Sequence, residues 1–165
     1  MITAKDFVFI IIVLFFLSPS VYTQEAKDRE DFWISPSAEI AMYSHNGAAY
    51  GGGISLGYGS GSSIGFKAAF LFDANGLSVL EINLLFRWYF QGQTADSGPF
   101  IQFTGGPAFM SFDNASPKVP DDYATLSAGL NIGWRFHWGR FFLEPCIRAG
   151  YPYIAGAGLS AGLSL

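Results

Sequence analysis

The segment Tyr123 to Trp138 alternates for sixteen residues without a break. Ala124, Leu126, Ala128, Leu130, Ile132, Trp134, Phe136 and Trp138 stand on one parity. Thr125, Ser127, Gly129, Asn131, Gly133, Arg135 and His137 stand on the other. Successive side chains of a β-strand point to opposite faces. The segment therefore reads as one strand with a wholly apolar face and a polar or small one. Soluble strands usually run about 3–10 residues, so this one is long for a soluble sheet.

The pattern recurs. In Ser78–Phe90, Leu80, Ile82, Leu84, Phe86, Trp88 and Phe90 oppose Glu81, Asn83, Arg87 and Tyr89. Phe141–Tyr151 sets Phe141, Leu143, Ile147, Ala149 and Tyr151 against Glu144, Cys146 and Arg148. From Ala155 to Leu165, Ala and Leu alternate with Gly and Ser. Further strands are predicted over 32–44, 49–58, 62–72 and 99–112, giving eight in all, an even number. No sustained 3.6-residue period occurs after Phe32. Turn chemistry separates the strands: Gly139-Arg140 is a two-residue hairpin loop, and 45–48 and 73–76 are rich in Asn, Asp and Gly. The longest predicted connection, Asp113–Asp122, holds Pro117 and Pro120.

Size and charge decide which face points outward. The interior of an eight-stranded barrel is just wide enough to be filled by side chains. The apolar face carries Phe66, Phe70, Phe72, Phe86, Trp88, Trp134, Phe136 and Trp138, too much volume for such a lumen. The Gly- and Ser-rich face would fit. Only 13% of the chain is charged, about half the soluble norm of about 25%, too little for a water-facing coat. The sequence thus predicts an all-β, eight-stranded, antiparallel, up-and-down transmembrane barrel, apolar outside and polar inside. A soluble ligand-binding barrel would require the opposite arrangement. The net charge of −4 argues against a nucleic-acid partner.

The N-terminus fits that compartment. Phe7–Leu17 is an apolar run of eleven residues after Lys5 and before Ser18-Pro19-Ser20. That is too short for a spanning helix and has the plan of a secretory signal peptide. Residues 1–23 are therefore read as signal peptide, with cleavage between Ser20 and Gln24. Residues 24–31, six of them charged, are read as a flexible leader, and 32–165 as the barrel. Cys146 is the only cysteine, so no intramolecular disulfide is available.

With both termini periplasmic, strand directions gather Phe32, Trp33, Trp88, Phe90, Phe100, Trp134, Phe136, Trp138 and Phe141 near one rim. All four tryptophans fall there, as in an interfacial aromatic girdle. The girdle is assigned to Trp33, Trp88, Phe90, Trp134, Phe136, Trp138 and Phe141.

The run Leu84-Leu85-Phe86-Arg87-Trp88-Tyr89-Phe90 and the Gly-rich closing strand resemble the small eight-stranded outer-membrane barrels of the OmpX, OmpW and OmpA-transmembrane-domain type. The resemblance spans about 32–165 and rests on strand number, alternation and the leader. It implies insertion into the outer membrane of a diderm bacterium by the barrel-assembly machinery, contact with outer-membrane lipid, and a monomer. Such barrels usually end in an aromatic residue, whereas this chain ends in Leu165.

The inward ionisable residues are Glu39, Lys67, Glu81, Arg87, Arg135, His137, Glu144 and Arg148. Unpaired charges in a narrow lumen are costly, so pairing is expected. The 139–140 turn places Arg135 directly opposite Glu144, and Glu39 can meet Arg148 through the lumen. Such a network either plugs the barrel or forms a switchable ion path, and the plug is the favoured reading. No cofactor or metal motif is found. An outer-leaflet lipid enzyme would need a catalytic His at the outer end. His137 falls at the opposite rim, and His45 has only Ser44 beside it. The expected role is non-enzymatic: structural or envelope interaction through a closed or very narrow lumen. A conduit for small solutes or hydrophobic compounds is the alternative.

Overall fold

The computed structural model describes residues 32–43, 47–59, 61–74, 76–90, 97–112 and 122–165. The expected signal peptide, leader and His45 lie outside them. Eight strands follow one another: β1 (Phe32–Tyr43), β2 (Gly47–Tyr58), β3 (Ser62–Phe72), β4 (Leu77–Tyr89), β5 (Gly98–Phe112), β6 (Asp122–Trp138), β7 (Phe141–Tyr151) and β8 (Tyr153–Ser164). Each pairs antiparallel with the next, and β8 returns to β1, closing the barrel. Leu165 N–H donates to Phe32 O at 2.7 Å and ties the C-terminus into that seam. Strand lengths run from 11 to 17 residues, enough for the roughly 9–11 that a tilted membrane-crossing strand needs.

Local chemistry fixes the hairpins. Gly139 takes φ +67°, a conformation costly for other residues, and sets Trp138 opposite Phe141. At the β3–β4 turn, Asp73 Oδ1 accepts from Leu77 N–H at 2.8 Å while Asp73 N–H donates to Leu77 O at 2.9 Å.

β8 begins two residues before the predicted Ala155. Met42 faces Ala155 in the β1–β8 ladder, but Tyr43 faces Tyr153, so Ile154 is an extra residue. Such a bulge breaks the two-residue period. Ile154 and Ala155 both point outward and Tyr153 turns inward, which hides the strand start from an alternation rule.

The molecule is inside out relative to a soluble protein. Phe66, Leu126, Trp138, Phe141 and Ile147 each leave more than 60% of their surface exposed, while Arg135 and Glu81 expose none. The inward face, however, is not polar throughout. Its third nearest the β3–β4 turn is an apolar layer of Ala41, Tyr43, Leu71, Leu77, Val79, Met110 and Tyr153, with small Ala residues between them. Charged residues fill the middle. Aromatic residues close the terminal end, where β1 begins and β8 finishes.

Candidate functional site: the charged lumen

Two ion clusters occupy the middle of the lumen. In the first, Glu39 on β1 binds Lys67 on β3 at 2.6 Å through Oε1. Its Oε2 binds Arg148 on β7. Arg148 Nη2 also reaches Glu81 on β4 at 2.8 Å. This cluster holds two carboxylates and two cations. Ser37 Oγ donates to Glu39 at 2.7 Å.

The second cluster lies nearer the terminal end. Glu144 Oε1 accepts from Arg135 Nε at 2.6 Å and from Arg87 Nη1 at 2.7 Å. Arg87 also donates to Gln102 Oε1 from Nε at 2.9 Å and from Nη2 at 2.7 Å, and from Nη1 to Tyr89 at 3.0 Å. One carboxylate thus serves two guanidiniums. The rings around them supply further negative potential. Arg87 lies 4.5 Å from the Trp33 ring centroid and 4.6 Å from that of Phe100. Arg135 lies 3.9 Å from Phe142 and 5.0 Å from Tyr89. Stacked guanidiniums are held by the negative faces of such rings, more strongly when desolvated.

β4 and β7 are three strands apart around the barrel and do not pair, and two ion pairs join them across the lumen: Arg87–Glu144 and Arg148–Glu81. Between the clusters a cavity of about 20 Å³ remains, bordered by Lys67, Gln102, Asn131, Cys146 and Ser160 among others. That is room for about one water molecule.

Seven of the eight residues predicted for the lumen meet in these clusters: Glu39, Lys67, Glu81, Arg87, Arg135, Glu144 and Arg148. His137 is not a member of either cluster. It is half-buried at the terminal rim, where its backbone N–H donates to Ser97 Oγ at 3.2 Å.

The girdle assignment needs one correction. Trp88, Phe90, Trp134, Phe136, Trp138 and Phe141 are exposed on the outer surface, with Phe136 and Trp138 stacked at 6.2 Å. Trp33 is not among them: it is 1% exposed and packs inside against Phe142. It shares parity with Glu39, so the pleat turns both inward. Phe100 is buried for the same reason, sharing parity with Gln102. At the opposite end Tyr50 meets Phe72 on the outer surface at 4.6 Å, and Phe112, packed against the apolar layer of the lumen, stacks on Tyr123 at the rim at 6.0 Å.

Sequence reasoning also missed the polar links. Ser127 Oγ lies 2.6 Å from Asn83 Oδ1 and 3.0 Å from the Gly106 carbonyl. All belong to the inward parity of their strands, and that parity was the available signal.

Two solved structures share the fold. The chain superposes on the N-terminal β-barrel domain of Pseudomonas aeruginosa OprF with TM-score 0.60 at 15% identity, covering 84% of this chain and 100% of that one. It superposes on Neisserial surface protein A with TM-score 0.62 at 15% identity, covering 81% and 96%. The fold is that of the small eight-stranded outer-membrane barrels. No protein-family model matches the chain, and no curated protein matches it. The likeness to the outer-membrane barrels is one of fold, an eight-stranded barrel in each case.

Proposed function

We propose that the chain is an integral outer-membrane protein whose lumen is closed, with a structural or envelope-interaction role and no catalytic one. The observation that carries this reading is the pair of ion bridges spanning the lumen from β4 to β7. The apolar layer on one side and the Arg–aromatic layer on the other support it. An exposed apolar belt over every strand supports membrane insertion. The barrel is read as periplasmic at its termini, inserted by the barrel-assembly machinery and monomeric.

Planar-bilayer recording tests the closed lumen. The purified barrel is expected to give no discrete conductance steps at moderate voltage. Reproducible single-channel openings would overturn the reading in favour of a solute conduit. Arg135→Ala separates the two further: a plug loses stability without conducting, whereas a gate conducts.

A further inference from the structure

The outer surface carries a groove of about 410 Å³ across β4, β5 and β6, at the end opposite the termini. Its volume lies within the range of small-ligand sites. Its floor is a register row running Phe70, Leu80, Phe109 and Ala124 across four adjacent strands. Ala124 is the small member, and its missing bulk opens the groove. Tyr123, stacked on Phe112, also lines it.

Two residues nearer the strand ends, the next outward row is polar. Ser78 faces Ser111, and Ser111 faces Asp122. Directly opposed residues on neighbouring strands sit about 4.5–5.5 Å apart, so two hydroxyls and a carboxylate form a continuous lip above an apolar floor. No basic side chain is among the described residues lining the groove.

The geometry points to a lipid site: one acyl chain on the Phe70–Ala124 floor, and a headgroup bearing a primary ammonium at the Ser78–Ser111–Asp122 lip. The charge argument selects this occupant. An anionic phosphate headgroup without an ammonium would meet Asp122 with no cation among the described lining residues beside it. An ammonium pairs with the carboxylate and donates to the hydroxyls. The inference rests on the proposed membrane insertion of the barrel.

Native mass spectrometry of the detergent-purified barrel, offered equimolar dimyristoyl phosphatidylethanolamine and dimyristoyl phosphatidylglycerol, tests it. The ethanolamine lipid is expected to be retained about three- to fivefold better, the scale of an exposed ion pair. Asp122→Asn should level the two lipids. Ala124→Phe, which fills the floor from the lipid side, should reduce retention of the ethanolamine lipid several-fold. Heat-modifiable gel mobility verifies that each variant is folded. Equal retention by the wild type, or undiminished retention by folded Ala124→Phe, overturns the site. A barrel that inserts into vesicles yet retains neither lipid overturns the groove while leaving the membrane reading intact. A barrel that does not insert overturns both.

Discussion

Arg135 and Glu144 are joined across a stretch where the backbone pairing of β6 and β7 is interrupted. The ladder runs from Gly133–Cys146 to Phe136–Leu143 with no paired residues between. Pro145 lies in that interval and has no N–H to give. The 2.6 Å bond from Arg135 Nε to Glu144 Oε1 holds the two strands together there. Because the same oxygen also binds Arg87, Glu144 carries more of the lumen than either arginine. Glu144→Gln should lower unfolding stability by about 3–5 kcal/mol, since it leaves two buried guanidiniums without their carboxylate. Arg135→Met should cost less, because Arg87 still neutralises Glu144. Urea unfolding in lipid vesicles, followed by tryptophan fluorescence, ranks them; an equal or reversed order would show that Arg87 does not share the load.

The placement of Trp33 gives an optical test. Trp88, Trp134 and Trp138 face outward, while Trp33 lies in the lumen under Arg87. In a barrel retaining only Trp33, with the other three changed to Phe, brominated acyl chains should leave fluorescence nearly unquenched. A barrel retaining only Trp134 should be strongly quenched. Strong quenching of Trp33 would return it to the outer girdle.

How far the sequence revealed this arrangement depends on contrast between neighbouring residues. Where outward Trp or Phe alternates with inward Arg, Asn or Ser, as in Tyr123–Trp138, both the strand and its facing are readable. Contrast vanishes in Phe70-Leu71-Phe72 and Leu77–Leu80. There the inward Leu71, Leu77 and Val79 are as apolar as the outward Phe70, Phe72 and Leu80, and more so than the outward Ser78, so the apolar layer inside the lumen left no pattern. The ion pairs divide in the same way. Arg135–Glu144 follows from a two-residue turn and a counted register. Arg87–Glu144 joins strands 57 positions apart in sequence and depends on barrel closure, which no local pattern encodes. Trp33 stands at the rim, as a girdle residue would, but its parity with Glu39 turns it inward.

The lumenal glycines make room for the aromatic layer. A methyl group at Gly57 would strike the Trp33 indole, and one at Gly162 would strike the Phe142 ring. Both neighbours are rigid and packed around arginines, so neither can yield cheaply. Gly57→Ala and Gly162→Ala should each destabilise the barrel by about 1–3 kcal/mol, the usual cost of overpacking. Gly61→Ala, with open space around it, should stay within about 0.5 kcal/mol of wild type. Pairing Gly57→Ala with Trp33→Leu should recover part of the loss. Additive losses in the double variant would show that the two positions do not compete for the same space.

The lumen has three barriers in series, the apolar layer, the Glu39–Arg148–Glu81 cluster and the Arg–aromatic layer at the terminal end, and conductance can test each. Above the Glu39–Arg148–Glu81 cluster, Tyr43 and Tyr153 meet edge to face at 6.4 Å within the apolar layer. An apolar constriction blocks ions by excluding water, independently of any charge beneath it. Arg148→Ala breaks both bridges to Glu39 and Glu81 but leaves Tyr43, Leu71 and Met110 in place. It should therefore lower stability while the barrel stays electrically silent. Tyr43→Ala with Tyr153→Ala opens the apolar layer yet keeps the ion pairs, and should also remain silent because the bridged cluster still fills the bore. All three substitutions together should still give no discrete conductance steps in a planar bilayer, because the Arg87–Glu144–Arg135 layer stays packed against Trp33, Phe100 and Phe142. If Arg148→Ala alone conducts, the bridges to Glu39 and Glu81 are the sole seal; if the folded triple variant conducts, the Arg87–Glu144–Arg135 layer does not close the bore by itself.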